Sequence, residues 1–225
     1  PQAKGVILEA HGLFTWDDDA EACYRLTLDT INRAMDWFAA RTEGRAAFGG
    51  ARHDSLAPEV RADVAARLMP AIRGLVSGRF PMVGHFTDAP EVLEFVNARD
   101  LEPLAALGTS CPDHFLRTKI RPLVVGFDPA TPDVEATLGA LPAAIEAYRA
   151  DYAAYYDRCK REGSPAMRDP NAVVYLVPGV GMMTFARDKA TARISAEFYV
   201  NAINVMRGAS AVSEYRGLSL AASLR

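Results

Sequence analysis

Cysteine is scarce in this chain. Its three copies, Cys23, Cys111 and Cys159, are widely spaced and form no C-x-x-C pair. That pattern argues against a disulfide framework and fits a reducing, cytoplasmic compartment with the thiols as small core residues. A surplus of positive charge is also lacking. With 25 basic against 28 acidic residues and a net charge of −3, nothing offers the footprint of a nucleic-acid binder, and no basic run suggests a membrane surface. No apolar stretch approaches the ~20 residues of a spanning helix, and the N-terminus carries no signal-peptide pattern. Histidine is sparse. His11, His53, His85 and His114 stand singly, with no H-x-H or H-x-x-x-H pair among them. An initiating methionine is missing, and the chain runs from Pro1 almost at once into a strand pattern. The expectation is an internal piece of a larger polypeptide.

What is present is an ordinary globular composition, 50% hydrophobic and 24% charged, with room for one large domain or two small ones. One stretch organises it. Val6 to Leu8 reads as a short buried strand that ends at His11-Gly12. Asp17 to Asp19 then offer an N-cap and first-turn negative charge to a helix with Tyr24, Leu28, Ile31, Met35 and Phe38 on one face. A histidine at the C-terminal end of a strand lies where open α/β sheets keep their ligands. The pattern recurs near the other end of the chain. Val173 to Val177 reads as a strand, Pro178 to Phe185 as a loop, and a helix follows with Ile194, Phe198, Ala202 and Val205. Laid without gaps, Val180-Gly181-Met182-Met183-Thr184-Phe185 covers His11-Gly12-Leu13-Phe14-Thr15-Trp16, with the histidine replaced by valine. This suggests an internal strand–turn–helix duplication with one live site.

Between the two units, residues 41–54 are rich in Gly, Arg and Ala and read as a linker, so the expected domains are 1–50 and 51–225. Pro58 to Leu75 is helical, with Val60, Val64, Leu68 and Ile72 at i+4 steps. Met82 to Phe86 is a short strand, after which Asp88 can cap a helix that has Pro90 in its first turn. Leu101 to Leu107 adds a helical turn or two, and Leu123 to Phe127 another strand. A long helix ends near Gly163 and either starts or kinks at Pro142, while Gly208 to Arg225 should fray. Strands alternating with helices place the fold in the α/β class.

Three stretches could carry chemistry. His11 beside a glycine has room for a metal, although a zinc site needs at least three protein ligands and this segment offers one. The bland reading is a satisfied histidine at a sheet edge. Gly179-Val180-Gly181 lacks the third glycine of a dinucleotide loop. In the polar run 108–119, Thr109 and Ser110 supply hydroxyls, His114 a pH-sensitive imidazole, and Arg117 and Lys119 two cations. Were that run extended, Arg117 and Lys119 would face one side and form an anion pocket for a substrate. The alternative is a loop whose cations are neutralised by Asp113 and other carboxylates. Neither Ser110 nor Cys111 has an obvious triad partner, so the nucleophile reading is weak.

Leu8 to Trp16, with the aspartates and amphipathic helix behind them, resembles the histidine-glycine segment of the class II aldolase/adducin family. Thr109 to Lys119 and Pro178 to Phe185 look like the subgroup in which a rhamnulose-phosphate aldolase region precedes a short-chain dehydrogenase. The resemblance implies a layered sheet with flanking helices and retro-aldol cleavage of a ketose phosphate. Zinc would polarise the carbonyl, with His11 as one metal ligand. It also implies that the other zinc histidines and the catalytic glutamate lie upstream of Pro1, and that an NAD-binding glycine loop lies beyond Arg225. The expected partner is a small-molecule sugar phosphate, with a homo-oligomer left open. This piece alone should be inactive. The rival reading is a non-catalytic, adducin-like interaction or scaffold module.

Overall fold

The computed structural model describes residues 3–78 and 80–218. It is a mixed α/β chain. The order is β1 (Gly5–Leu8), β2 (Gly12–Thr15), α1 (Ala20–Thr42), α2 (Pro58–Val76), β3 (Val83–Thr87), α3 (Pro90–Val96), α4 (Leu101–Leu107), α5 (Pro112–Thr118), β4 (Leu123–Val124), α6 (Val134–Cys159), β5 (Val174–Val177), β6 (Gly181–Ala186) and α7 (Lys189–Val212). The main sheet runs β3-β6-β5-β4, with β4 parallel to β5 and the other neighbours antiparallel. β1 and β2 form a separate antiparallel hairpin.

The core of the main sheet is built by alternation along β5. Tyr175 and Val177 join a cluster with Val64, Leu68 and Ile72 of α2 and Leu141 and Ile145 of α6. Val174 and Leu176 join another with Val92, Phe95 and Val96 of α3 and Tyr199, Ile203 and Met206 of α7. Both faces of a short strand are therefore buried, which is why it reads as a continuous apolar run rather than an alternating one.

The two units singled out in the sequence share a geometry that the strand–loop–helix reading only half anticipates. Each is a hairpin followed by a helix, because the expected loops Gly12–Thr15 and Gly181–Ala186 are second strands. Leu8 lies opposite Gly12, and Val177 opposite Gly181. The turn amides match as well: His11 N–H donates to Leu8 O at 3.2 Å and Val180 N–H to Val177 O at 3.1 Å. Ala10 and Gly179, at φ 54° and 75°, take the left-handed position of these turns. Asp19 accepts from Ala22 N–H and Asp188 from Thr191 N–H, so each aspartate caps the helix that follows. The surroundings differ. β6 is flanked by β3 and β5 by β4, whereas β1 is exposed throughout and α1 buries no residue.

Other expectations are corrected. Residues 41–54 are not a free linker. Phe48, in a 3₁₀ turn from Ala47 to Gly49, is buried with its ring centroid 5.0 Å from that of Phe95, and Ala51 bridges Ala98. Asp88 does not cap α3; it pairs with Arg61, and Ala89 holds the cap position. α6 continues through Pro142 from its N-cap Asp133 to Cys159. The C-terminal region is helical to Val212, and Tyr215 beyond it is buried and donates to Gly108 O at 2.7 Å. The rest of the expected frayed tail, 219–225, lies outside the described residues. No helix among the described residues is long and apolar enough to cross a membrane.

Candidate functional site

His11 sits in the exposed turn between antiparallel strands, stacked near Phe14 with ring centroids 6.1 Å apart. Its counterpart Val180 is fully buried. No group of three or more His, Cys, Asp or Glu side chains that could hold a metal occurs among the described residues. The donors present therefore do not fit a zinc ion by themselves, because one imidazole is short of the three protein ligands that zinc requires.

The polar run 108–119 is not extended. Pro112 opens a helical turn at N1, where its missing N–H costs nothing, and α5 carries the chain to Thr118. Arg117 and Lys119 are consequently not gathered on one side. The Arg117 guanidinium lies 6.0 Å from the Phe198 ring centroid of α7, which His114 meets edge-on at 5.4 Å. Lys119 turns the other way, with Nζ 4.2 Å from the Tyr152 ring centroid of α6 and donating to Asp169 O. Burial pulls the Lys119 pKa down to about 8 and lowers that of His114. Thr109 is buried with its hydroxyl donating to Cys111 O, and Ser110 is half-buried beside it.

A different place draws functional side chains together. An open cleft of about 540 Å³ lies beyond the C-terminal ends of the parallel strands β4 and β5, lined by Arg52, His53, Arg99, Glu102 and Asp128 over an apolar wall that includes Val125 and Phe127. Asn97 fixes its rim. The buried Asn97 side chain accepts from Gly179 N–H at 2.6 Å and donates to Ser55 Oγ at 2.8 Å, while its carbonyl accepts from the amides of Arg52 and His53. Leu56 N–H donates to Gly179 O, so the 52–56 segment is tied to Asn97 at one end and to the β5–β6 turn at the other. Sequence reasoning left this cleft out because Arg52 and His53 come from the stretch read as a linker and Arg99 from a distant one. The signal that could have found it is the C-terminal edge of a parallel pair, the position favoured for ligands in open sheets.

With that geometry in view, comparison with known proteins places the chain. The family model described as aldolase class II, second domain, matches residues 63–225. The chain belongs to that family. The chain is also similar to Uncharacterized oxidoreductase YuxG of Bacillus subtilis (strain 168), at 34% identity over 218 residues. The alignment takes in 97% of the present chain and 32% of the relative, so the chain spans about a third of that relative's length. No solved structure gives a significant match.

Proposed function

We propose that this chain is an internal piece of a longer class II aldolase that cleaves a ketose phosphate such as rhamnulose 1-phosphate by a retro-aldol step. In this reading the polypeptide also carries a short-chain dehydrogenase using NAD. Residues 1–50 end a first aldolase-like unit of layered sheet and helices, and residues 51–225 form a second, duplicated unit without the histidine. The observation that carries the reading is the placement of His11. It occupies an exposed hairpin turn where the corresponding turn of the other unit buries Val180, which suits a side chain kept for a ligand rather than for packing. The family match and the oxidoreductase name of a threefold longer relative support the same reading.

His11 would then be one zinc ligand among several, the rest supplied from outside the present residues. A non-catalytic, adducin-like scaffold is the second reading. The two are separated by assaying the longer polypeptide with and without His11→Ala, reading bound zinc after dialysis and aldehyde release from rhamnulose 1-phosphate. Loss of both in the variant supports the enzyme. Zinc-free, inactive protein with the histidine intact supports the scaffold. The present chain alone is expected to retain no stoichiometric zinc against a mild chelator. Stoichiometric retention that His11→Ala abolishes would overturn the incomplete ligand set.

A further inference from the structure

We infer that the cleft beyond β4 and β5 binds the phosphate group of a small phosphate monoester, independently of His11 and of the proposed aldol chemistry. The cleft is lined by residues from 52 to 178, none of them from the β1–β2 hairpin.

The inference begins with the Ala51–Ala98 bridge, which is antiparallel. Across such a bridge Arg52 and Arg99 are diagonal neighbours on one face, roughly 7–8 Å apart at the backbone and within reach of one ligand for long side chains. Their backbones are held: Arg52 N–H donates to Asn97 O at 2.7 Å and Arg99 N–H to Gly50 O at 3.0 Å. Neither guanidinium makes an ion pair among the described residues, although Arg99 Nε donates to Ala51 O at 3.4 Å. Two such forks on a fixed frame suit the geometry of a phosphate, which takes parallel hydrogen bonds from each. His53 adds a third donor on the same wall.

The acidic side chains decide what kind of anion fits. Asp128 is committed to its own turn, accepting from Ala130 N–H at 2.9 Å and Thr131 Oγ1 at 2.9 Å. Those bonds, with smaller help from His53 and Arg52, hold its carboxyl below the usual carboxylate range. It competes with a ligand for Arg52 and His53. Glu102 has no such partner among the described residues and can accept from a ligand hydroxyl. A bare anion would use only the arginine end, whereas a monoester with a hydroxylated body would use the arginines and Glu102 together. The apolar wall beside Val125 and Phe127 takes the carbon skeleton.

The test is calorimetric titration at low ionic strength with inorganic phosphate, glycerol 3-phosphate and glycerol. Both phosphates should bind, the ester more tightly, and glycerol should not. Arg52→Ala and Arg99→Ala, at exposed positions that leave the fold intact, should each weaken the ester about tenfold. Asp128→Asn should tighten both phosphates several-fold by removing the competing charge, a change that a merely structural role would not produce. Arg45→Ala, a cation bonded to Ala211 O away from the cleft, should change nothing. No saturable binding up to about 10 mM, equal weakening by Arg45→Ala, or unchanged affinity in both cleft variants would overturn the site. Weakening by His11→Ala would assign the phosphate to the first unit and would also overturn it. A longer polypeptide that is zinc-free with His11 intact, yet still binds phosphate, would instead count only against the proposed activity.

Discussion

Lys119 shows what partial burial does to a single side chain here. It ends α5 at φ 62°, and burial behind Tyr152 lowers its pKa from 10.5 to about 8. Between those two values the unfolded chain binds a proton that the folded chain does not, so stability should rise as pH climbs from about 8 toward 10.5. Below that window the buried charge is a constant cost. Lys119→Met should therefore be stabilised relative to the parent at pH 7, with the advantage shrinking toward pH 10. Denaturant unfolding of both proteins at the two pH values checks it, and an advantage that does not change with pH would refute it. Buried tyrosines give a second case. The hydroxyls of Tyr175 and Tyr199 are buried and meet no hydrogen-bond partner among the described residues. Replacing an unsatisfied hydroxyl by hydrogen removes a desolvation cost, so Tyr175→Phe and Tyr199→Phe should each be stabilising by about 1 kcal/mol. A loss of stability in thermal melts would show that these hydroxyls are satisfied after all.

At the scale of elements, the two hairpins offer a direct comparison. Gly179 and Ala10 hold equivalent left-handed turn positions, yet only Gly179 is walled in: a Cβ there would come within 2.4 Å of Pro129 Cβ. Gly179→Ala should cost about 1–3 kcal/mol through strain and overlap. Ala10→Gly should be near neutral, since relief of about 1 kcal/mol of left-handed strain is offset by the greater freedom of glycine in the unfolded chain. Chemical denaturation of the pair measures both, and equal costs would mean that the turns are not conformationally alike. The same elements show what the sequence makes legible. α2 follows the i+4 steps of Val64, Leu68 and Ile72, and α7 those of its apolar face, because long amphipathic helices carry several repeats of their period. β2 and β6 escape notice because β2 has only four residues, too few for its alternation to stand out, and β6 is buried on both faces and does not alternate. α5 hides behind a Pro-Asp-His start that also suits a loop. The cleft is hidden for another reason. Arg52 and Arg99 are far apart in the chain and are joined by the Ala51–Ala98 bridge, which no local pattern encodes.

Over the whole molecule, apolar side chains are distributed unequally between the two units. Most of those around the main sheet are enclosed, Leu116 at 61% exposure being an exception, but Ile7 is 75% exposed, and Tyr24 and Met35 are 63% exposed on α1. Leu8 and Phe14, on the hairpin face opposite Ile7, and Leu28 and Ile31 on α1 are 40–48% exposed. Isolated exposed apolar residues are ordinary, whereas the stripe of Tyr24, Leu28, Ile31 and Met35 along one helix marks a face that another surface would cover. α1 meets β2 where Thr27 and Cys23 reach Thr15, and meets α7 where Phe38 packs near Gly208; just beyond the helix Arg45 reaches Ala211 O. The apolar stripe therefore contributes little to holding the chain folded. Ile7→Lys, Tyr24→Glu and Met35→Glu, combined, should lower binding of a hydrophobic dye and suppress self-association while shifting stability by less than about 1 kcal/mol. Leu68→Ala, in the core against β5, should by contrast cost about 2–5 kcal/mol. Dye fluorescence, light scattering and denaturant unfolding of the parent, the combined surface variant and Leu68→Ala separate these effects. If the surface variants lose as much stability as Leu68→Ala, the stripe is packed in solution, and the first unit is closed by the present chain itself.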